Sequence, residues 1–316
     1  MIQPAVSVII TSYNAARTLP RALDSILGQT LSDFEILVCD DGSTDGTPEV
    51  IRQYEGRNSR IRGIRLEHQG VAAARQAGID AAKGEFTIFV DADDWIEPDM
   101  LDALVLKARQ EHADLVICDM RIIRNHGTEL SVQDPGEATG KELIPLLFNR
   151  LHGSLCNKLI RGECYRKYGI GFLPGLNCCE DLLVVLKLLD AGATVTYVPK
   201  AFYQYDKTGE SITNHWTDVP VREKVRFLEE AAPIADRNKA SASFNDYLAK
   251  IAYNAVLSSR EACPDYASFF RPFRKRILSS TLPFRKKGLI RLCLTGLRLP
   301  LRALKLRRIN KQKQHS

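Results

Sequence analysis

An α/β fold with a mostly parallel central sheet, followed by a C-terminal helical region, is the architecture this sequence predicts. Two observations carry it. Short apolar, β-branched runs alternate with helical repeats as far as Met120, and a βαβα order specifies parallel crossovers. Three of those runs also close on polar clusters: Thr11-Ser12-Tyr13-Asn14, Asp40-Asp41 and Asp91-Ala92-Asp93-Asp94. Open α/β sheets bind ligands beyond the carboxyl ends of their strands, so the three clusters are expected to converge on one crevice.

Each element has its own signal. VSVIIT (6–11) is a short, mainly apolar, β-branched run, as a buried parallel strand is. Leu19, Leu23, Ile26 and Leu27 recur at helical spacing. EILVCD (35–40) gives a second strand, then a helix from Thr47 to Tyr54, then a third strand over 61–66. Val71–Lys83 is an Ala-rich helix with Gly84 as its C-cap signal. Phe86–Val90 is the fourth strand. Pro98 suits the first turn of a helix whose inner face is Leu101, Leu104, Val105 and Ala108. Leu115–Met120 is another strand, and 124–142 is a polar loop or edge excursion. Glu180–Leu189 is helical and stops at Gly192, with two short strands at 194–198 and 201–205. From Val219 the pattern is helical. The expected division is a catalytic-type α/β domain over 1–215 and a helical region over 216–316.

Composition narrows the class. Of 316 residues, 45% are hydrophobic and 26% charged, as in globular proteins that bury a sizeable core. The net charge of +6 is unevenly placed. Residues 271–316 hold 15 of the 44 Lys and Arg and none of the 38 Asp and Glu, so the remainder carries −9. The eight cysteines show no CxxC and no zinc spacing. They read as reduced thiols of a cytosolic protein. No leader pattern opens the chain. No apolar run is long enough to span a bilayer; the best, Leu289–Leu301, is broken by Arg291, Arg298 and Pro300.

The acidic clusters carry the chemistry. Packed carboxylates repel and raise one another's pKa, so Asp91, Asp93 and Asp94 at a strand end mark either a solvated turn or a place for a cation. In an extended segment Asp91 and Asp93 face the same way. Mg²⁺ or Mn²⁺ needs only one or two carboxylates when a diphosphate supplies the other ligands. Glu97 and Asp99, beside Pro98, suit a helix N-terminus instead. In Asp40-Asp41-Gly42-Ser43-Thr44-Asp45 a turn and helix cap explain Gly42, Ser43 and Asp45. The two acids exceed what a turn requires, and a carboxylate accepts well from a pyrimidine N–H or a ribose hydroxyl. Glu180-Asp181 alone would be read as a helix start.

The series PAVSVIITSYN, SILGQTLSDFEILVCDDGSTDGT, GVAAARQAGIDAAKGEF and FVDADDWIEPDML resembles family 2 glycosyltransferases with the GT-A (nucleotide-diphospho-sugar transferase) fold. The likeness is specific over about residues 4–105. It continues more weakly through CNKLIR, CCEDLLVVLKLL and YQYDKTGESIT to about 213. The resemblance implies that Thr11, Tyr13 and Asp41 hold the nucleotide base and its surroundings, with Asp40 beside them. Asp91 would contact the ribose and Asp93 the Mn²⁺ or Mg²⁺ on the diphosphate. Asp181 would be the general base with Glu180 adjacent, and Arg75 and Lys158 would support the nucleotide-sugar pocket. Gln76 stands where many relatives have Asn. Asp206 stands where relatives often carry a basic residue, a part Lys207 could take. The QxxRW motif of processive polymerases is absent, which points to addition of single sugars. Metal-dependent, inverting transfer from a nucleotide-sugar donor, by default a UDP-sugar, is therefore expected, in bacterial surface polysaccharide assembly. The rival readings are a nucleotidyltransferase and a non-catalytic saccharide- or membrane-binding protein.

Residues 269–309 interleave Phe, Leu and Ile with Arg and Lys. Binding to an anionic membrane surface accounts for both residue classes. No nucleic-acid module accompanies them, so no nucleic-acid partner is expected. The acceptor expected is a saccharide, lipid-linked, met at the cytoplasmic face of the inner membrane.

Overall fold

The apolar runs form neighbouring strands because each must pair its backbone on both sides and bury both its faces. The computed structural model describes residues 3–209, 221–258 and 266–295. The chain divides into two compact units, Met1–Asn214 and His215–Ser316.

The first unit opens with β1 (Val6–Ser12), α1 (Leu19–Leu27), β2 (Phe34–Asp40), α2 (Thr47–Arg57), β3 (Ile61–Arg65), α3 (Val71–Ala81) and β4 (Phe86–Asp91). These four strands are parallel in the order β3-β2-β1-β4. The short β5 (Trp95–Ile96), α4 (Met100–Gln110), β6 (Leu115–Arg124) and β7 (Gly127–Ser131) follow. A 3-10 turn at Gly140–Leu143 carries a Thr139/Glu142 capping box and runs into α5 (Ile144–Leu147). Then come β8 (Lys158–Arg161), α6 (Glu163–Tyr168), α7 (Glu180–Asp190) and β9 (Val195–Asp206). The sheet order is β3-β2-β1-β4-β8-β6-β9-β5, with β7 paired to β6. Nine strands thus form one mixed, mostly parallel sheet among the described residues. Val6, Val8 and Ile10 of β1 join Leu19 and Leu23 of α1 and Leu101, Leu104 and Ala108 of α4 in one core cluster.

Several expected details differ. Gly84 does not cap α3; Ala82 does, in an extended conformation. Gly84 is needed for close packing, since a Cβ there would lie 2.4 Å from the Ser7 amide nitrogen. The two short strands expected over 194–205 are one strand, β9. Its register against β6 jumps from Cys118↔Val198 to Asp119↔Ala201. Pro199 and Lys200 bulge out there, as suits a proline without an N–H to pair. The polar excursion over 124–142 contains a hairpin strand, β7. β8 lies antiparallel between β4 and β6.

In the second unit α8 (Val221–Arg237), α9 (Ser241–Ser258), α10 (Tyr266–Phe270), α11 (Arg274–Ser279) and α12 (Phe284–Leu294) pack as helices. α8 buries Phe227, Leu228, Ala231 and Ala235 along one face. The Tyr266 hydroxyl donates to the Ala252 carbonyl at 3.0 Å, and Asp246 accepts both the amide and the hydroxyl of Thr281. Of the basic segment 269–309, residues 296–309 lie outside the described residues. Among the described residues no helix is long and apolar enough to cross a membrane.

Candidate active site

Register brings the polar clusters together. Thr11 sits opposite Asp91, and Ser12 opposite Asp40, across adjacent parallel strands. Thr11, Asp40, Asp41 and Asp91 therefore share the carboxyl edge of the sheet. The β2 end is tied down from several sides. Asp40 accepts from the Ser43 amide at 3.1 Å, and its other carboxylate oxygen is buried without a hydrogen-bond partner, 3.6 Å from Arg65. Asp41 accepts from the amides of Gln69 and Gly70, each at 2.9 Å, while His68 Nδ1 lies 2.9 Å from Oδ2. Tyr13 is about half exposed and stacks on His68, ring centroids 4.3 Å apart. One face of Tyr13 is thus occupied by the chain itself.

The β4 end holds three aspartates in three environments. Asp91 meets Arg75 at 3.2 Å. Asp94 is fully buried; it accepts from the Tyr203 hydroxyl at 2.6 Å and the Asp206 amide at 2.8 Å. Burial, then Asp91 and Asp93, push its pKa up to about 9. Tyr203 also accepts from the Asp91 amide at 3.1 Å, so β9 clamps the turn. Asp93 is half-buried, and its pKa is pushed up to about 6 by burial and by Asp91. No other residue's hydrogen-bond donor reaches its carboxylate among the described residues. Arg21 donates instead to the Asp93 carbonyl, pairs with Asp206 at 2.7 Å and covers the Trp95 ring at 4.1 Å. Asp206 is therefore one half of an ion pair at the crevice rim.

A carboxylate raised by burial beside a second carboxylate, with no donor from another residue, suits a cation. Asp91 and Asp93 are hard oxygen donors of the kind Mg²⁺ and Mn²⁺ take. The residues present fit such an ion, with Asp93 as the free ligand.

Arg75 joins this edge to a distant helix. Its guanidinium is buried and paired with Asp91, with Glu180 in a short contact, and with Asp181 at 4.0 Å. Burial opposes its charge, but Glu180, Asp91 and Asp181 outweigh that and raise its pKa. The α7 N-terminus is fixed from the other side as well. Asn177 Oδ1 accepts from the Ala72 amide at 3.2 Å, at the start of α3. Gly70 there has φ +93°, and a Cβ would lie 2.3 Å from the same Asn177 oxygen. Cys179, just before Glu180, has φ +58°, a conformation that costs a non-glycine residue about 1–2 kcal/mol.

Glu180 and Asp181 then part company. Glu180 is buried on Arg75, and burial pushes its carboxyl up despite that partner. Asp181 is about one-fifth exposed, and among the described residues it accepts only from the Leu182 amide at 2.7 Å besides its distant approach to Arg75. Of the pair, Asp181 has the more open carboxylate. Lys158 is buried too. Its ammonium donates to the carbonyls of His152 (2.8 Å) and Ser154 (2.6 Å) and to Asn157 Oδ1 (2.7 Å). All three protons are taken by the chain, so Lys158 shapes the 152–157 loop and has no donor left for a ligand. Arg21, His68 and Tyr203 also belong to this edge and were not expected. Arg21 lies on α1, His68 in the loop between β3 and α3, and Tyr203 on β9, and the local pattern around them gives none of the three a role at the site.

Residues 7–169 match the family described as Glycosyl transferase family 2. The chain belongs to that family. It is 30% identical over 263 residues to EpsH of Bacillus subtilis, a protein named as a glycosyltransferase, covering 78% of this chain and 72% of EpsH. Among solved structures it superposes on S. aureus TarS 1–349 in complex with UDP-GlcNAc, with a TM-score of 0.69 at 21% identity, over 92% of this chain and 87% of that one. It also superposes on the mannosyltransferase PcManGT of Pyrobaculum calidifontis in complex with GDP-Man and Mn²⁺, with a TM-score of 0.56 at 18% identity, over 93% and 86%. The fold is thus GT-A, and the protein is a glycosyltransferase acting on nucleotide sugars.

Proposed function

We propose that the chain transfers a single sugar, with inversion, from a UDP-sugar to a hydroxyl of a lipid-linked saccharide in bacterial surface polysaccharide assembly. The observation that carries the chemistry is the convergence of Asp91 and Asp181 on Arg75. Donor-side and acceptor-side carboxylates then belong to one site. Thr11, Tyr13 and Asp41 line the base and Asp91 the ribose. A carboxylate has about four lone-pair sites; the contacts from residues 68–70 leave Asp41 room to accept a uracil N–H. A divalent cation held by Asp93 would supply positive charge to the departing diphosphate.

Asp181 takes the proton of the acceptor hydroxyl as its oxygen bonds to the anomeric carbon. The bond from that carbon to the diphosphate oxygen breaks, and the nucleoside diphosphate leaves with the electron pair. Attack from the face opposite the leaving group inverts the centre. Arg75 holds Asp91 and, through Glu180, the first turn of α7 that carries Asp181; Glu180 is a positioning residue in this reading. The second unit brings the enzyme to an anionic membrane surface at the cytoplasmic face.

The test is nucleoside diphosphate release from a panel of UDP-, GDP- and dTDP-sugars with a lipid-linked acceptor fraction, in Mn²⁺, Mg²⁺ or EDTA. Metal-dependent release from one donor, abolished in Asp93→Asn, supports the reading. Release of pyrophosphate, or no binding of any nucleotide-sugar, overturns it.

A further inference from the structure

Unit two carries a surface that the transfer chemistry does not use. Residues 266–295 contain no Asp or Glu and eight Lys and Arg. Three of these cations are engaged: Arg276 pairs with Asp236, Lys287 donates to the Leu278 carbonyl at 3.0 Å, and Lys286 lies over the Tyr253 ring. The other five, Arg271, Arg274, Lys275, Arg285 and Arg291, are exposed and meet no carboxylate among the described residues.

On α12 the arrangement has a direction. Ile290 and Leu294 are buried and hold the helix to its own unit. At about 3.6 residues per turn, Leu292 and Arg285 fall on the opposite face with Gly288 beside them, and Phe284 and Arg291 lie on its flank. Phe284 is 88% exposed and Leu292 44%. A phenylalanine bared to that degree forfeits the burial that stabilises an aromatic in water. Residues 296–316 add seven more Lys and Arg and no acid.

We infer that the outward face of α12 docks on an anionic lipid surface, with Phe284 and Leu292 entering the headgroup boundary and Arg285 and Arg291 meeting lipid phosphates. This rests on the reading of the acceptor as lipid-linked and narrows the membrane contact from the segment 269–309 to one helix face. Apolar side chains flanked by arginines are what interfacial binding requires. Each cation near such a surface contributes about 1 kcal/mol, or about fivefold in binding.

The experiment is sedimentation of the full chain with phosphatidylcholine vesicles, with and without phosphatidylglycerol. Wild type should bind only the anionic vesicles. Arg285→Gln/Arg291→Gln should weaken binding about 30-fold, and Phe284→Ala on the order of tenfold. Phe284→Trp should shift its emission to the blue on anionic vesicles. Unshifted emission while the chain still sediments would overturn the proposal, as would binding that ignores all three substitutions. Tighter binding of single-stranded DNA with the same dependence on Phe284 would also overturn it, in favour of a nucleic acid. Donor turnover of the wild type measured separately on a water-soluble acceptor keeps the two readings apart: turnover without binding to anionic vesicles sinks the docking face alone, and vesicle binding without turnover sinks the transfer reading alone.

Discussion

In the crevice of the first unit, Arg75 is buried and faces three carboxylates. On α12 of the second, Arg285 and Arg291 stand in solvent and face none among the described residues. The same kind of side chain does two jobs. A buried guanidinium among carboxylates fixes geometry, because removing one partner strands the others in low dielectric. An exposed one fixes nothing locally and remains available to a surface that arrives from outside. The difference predicts which substitutions damage the enzyme and which only relocate it.

The largest effect should come from Asp181. Asp181→Asn removes the proton acceptor, and turnover should fall on the order of 10³-fold, read as nucleoside diphosphate release. Next is Arg75→Met, which leaves Glu180 buried without its partner. It should cost about 3–5 kcal/mol of stability by denaturant titration, and adding Glu180→Met should recover part of that loss. A full cost that persists in the double variant would break the view of Arg75 and Glu180 as a matched pair. Glu180→Gln keeps the size and a hydrogen bond but loses the charge. Turnover should fall on the order of tenfold with donor KM little changed, which separates a positioning role from donor binding.

The smallest effect should be Asp236→Asn in the second unit. Hydrogen bonds from Arg276 and then Ser241 hold the Asp236 carboxyl below its ordinary value. A depressed folded-state pKa stabilises above the unfolded value of the group and is lost as pH falls through the folded one. The substitution should lower stability by no more than about 1 kcal/mol at neutral pH. The gap between variant and wild type should close below about pH 4.

Much of the first unit was legible in the sequence because β1, β2 and β4 are mainly apolar and close on polar residues, which at β2 and β4 are acids. Local pattern alone places such strands at the centre of a sheet and their ends at a crevice. β8 was not legible: Lys158-Leu159-Ile160-Arg161 is four residues long and charged at both ends, and only β4 and β6 on either side make it a strand. β9 was read as two strands because Pro199 and Lys200 interrupt its pattern, although they interrupt only its pairing. The acidic clusters of the site were visible, but not which carboxylates are free. Asp93 and Asp94 are neighbours in sequence. Tyr203 and Asp206, more than a hundred residues away, bury one into the fold and leave the other without an outside donor. The separation of Glu180 from Asp181 likewise depends on Arg75, 105 residues distant.

The central claim is that donor binding and proton removal sit on separate carboxylates of one linked site. Titration calorimetry of Asp181→Asn with the active nucleotide-sugar, set beside its nucleoside diphosphate release, tests it most directly. The account predicts donor affinity like that of wild type together with loss of release. Parallel loss of affinity and release, or release at the wild-type rate, would contradict it.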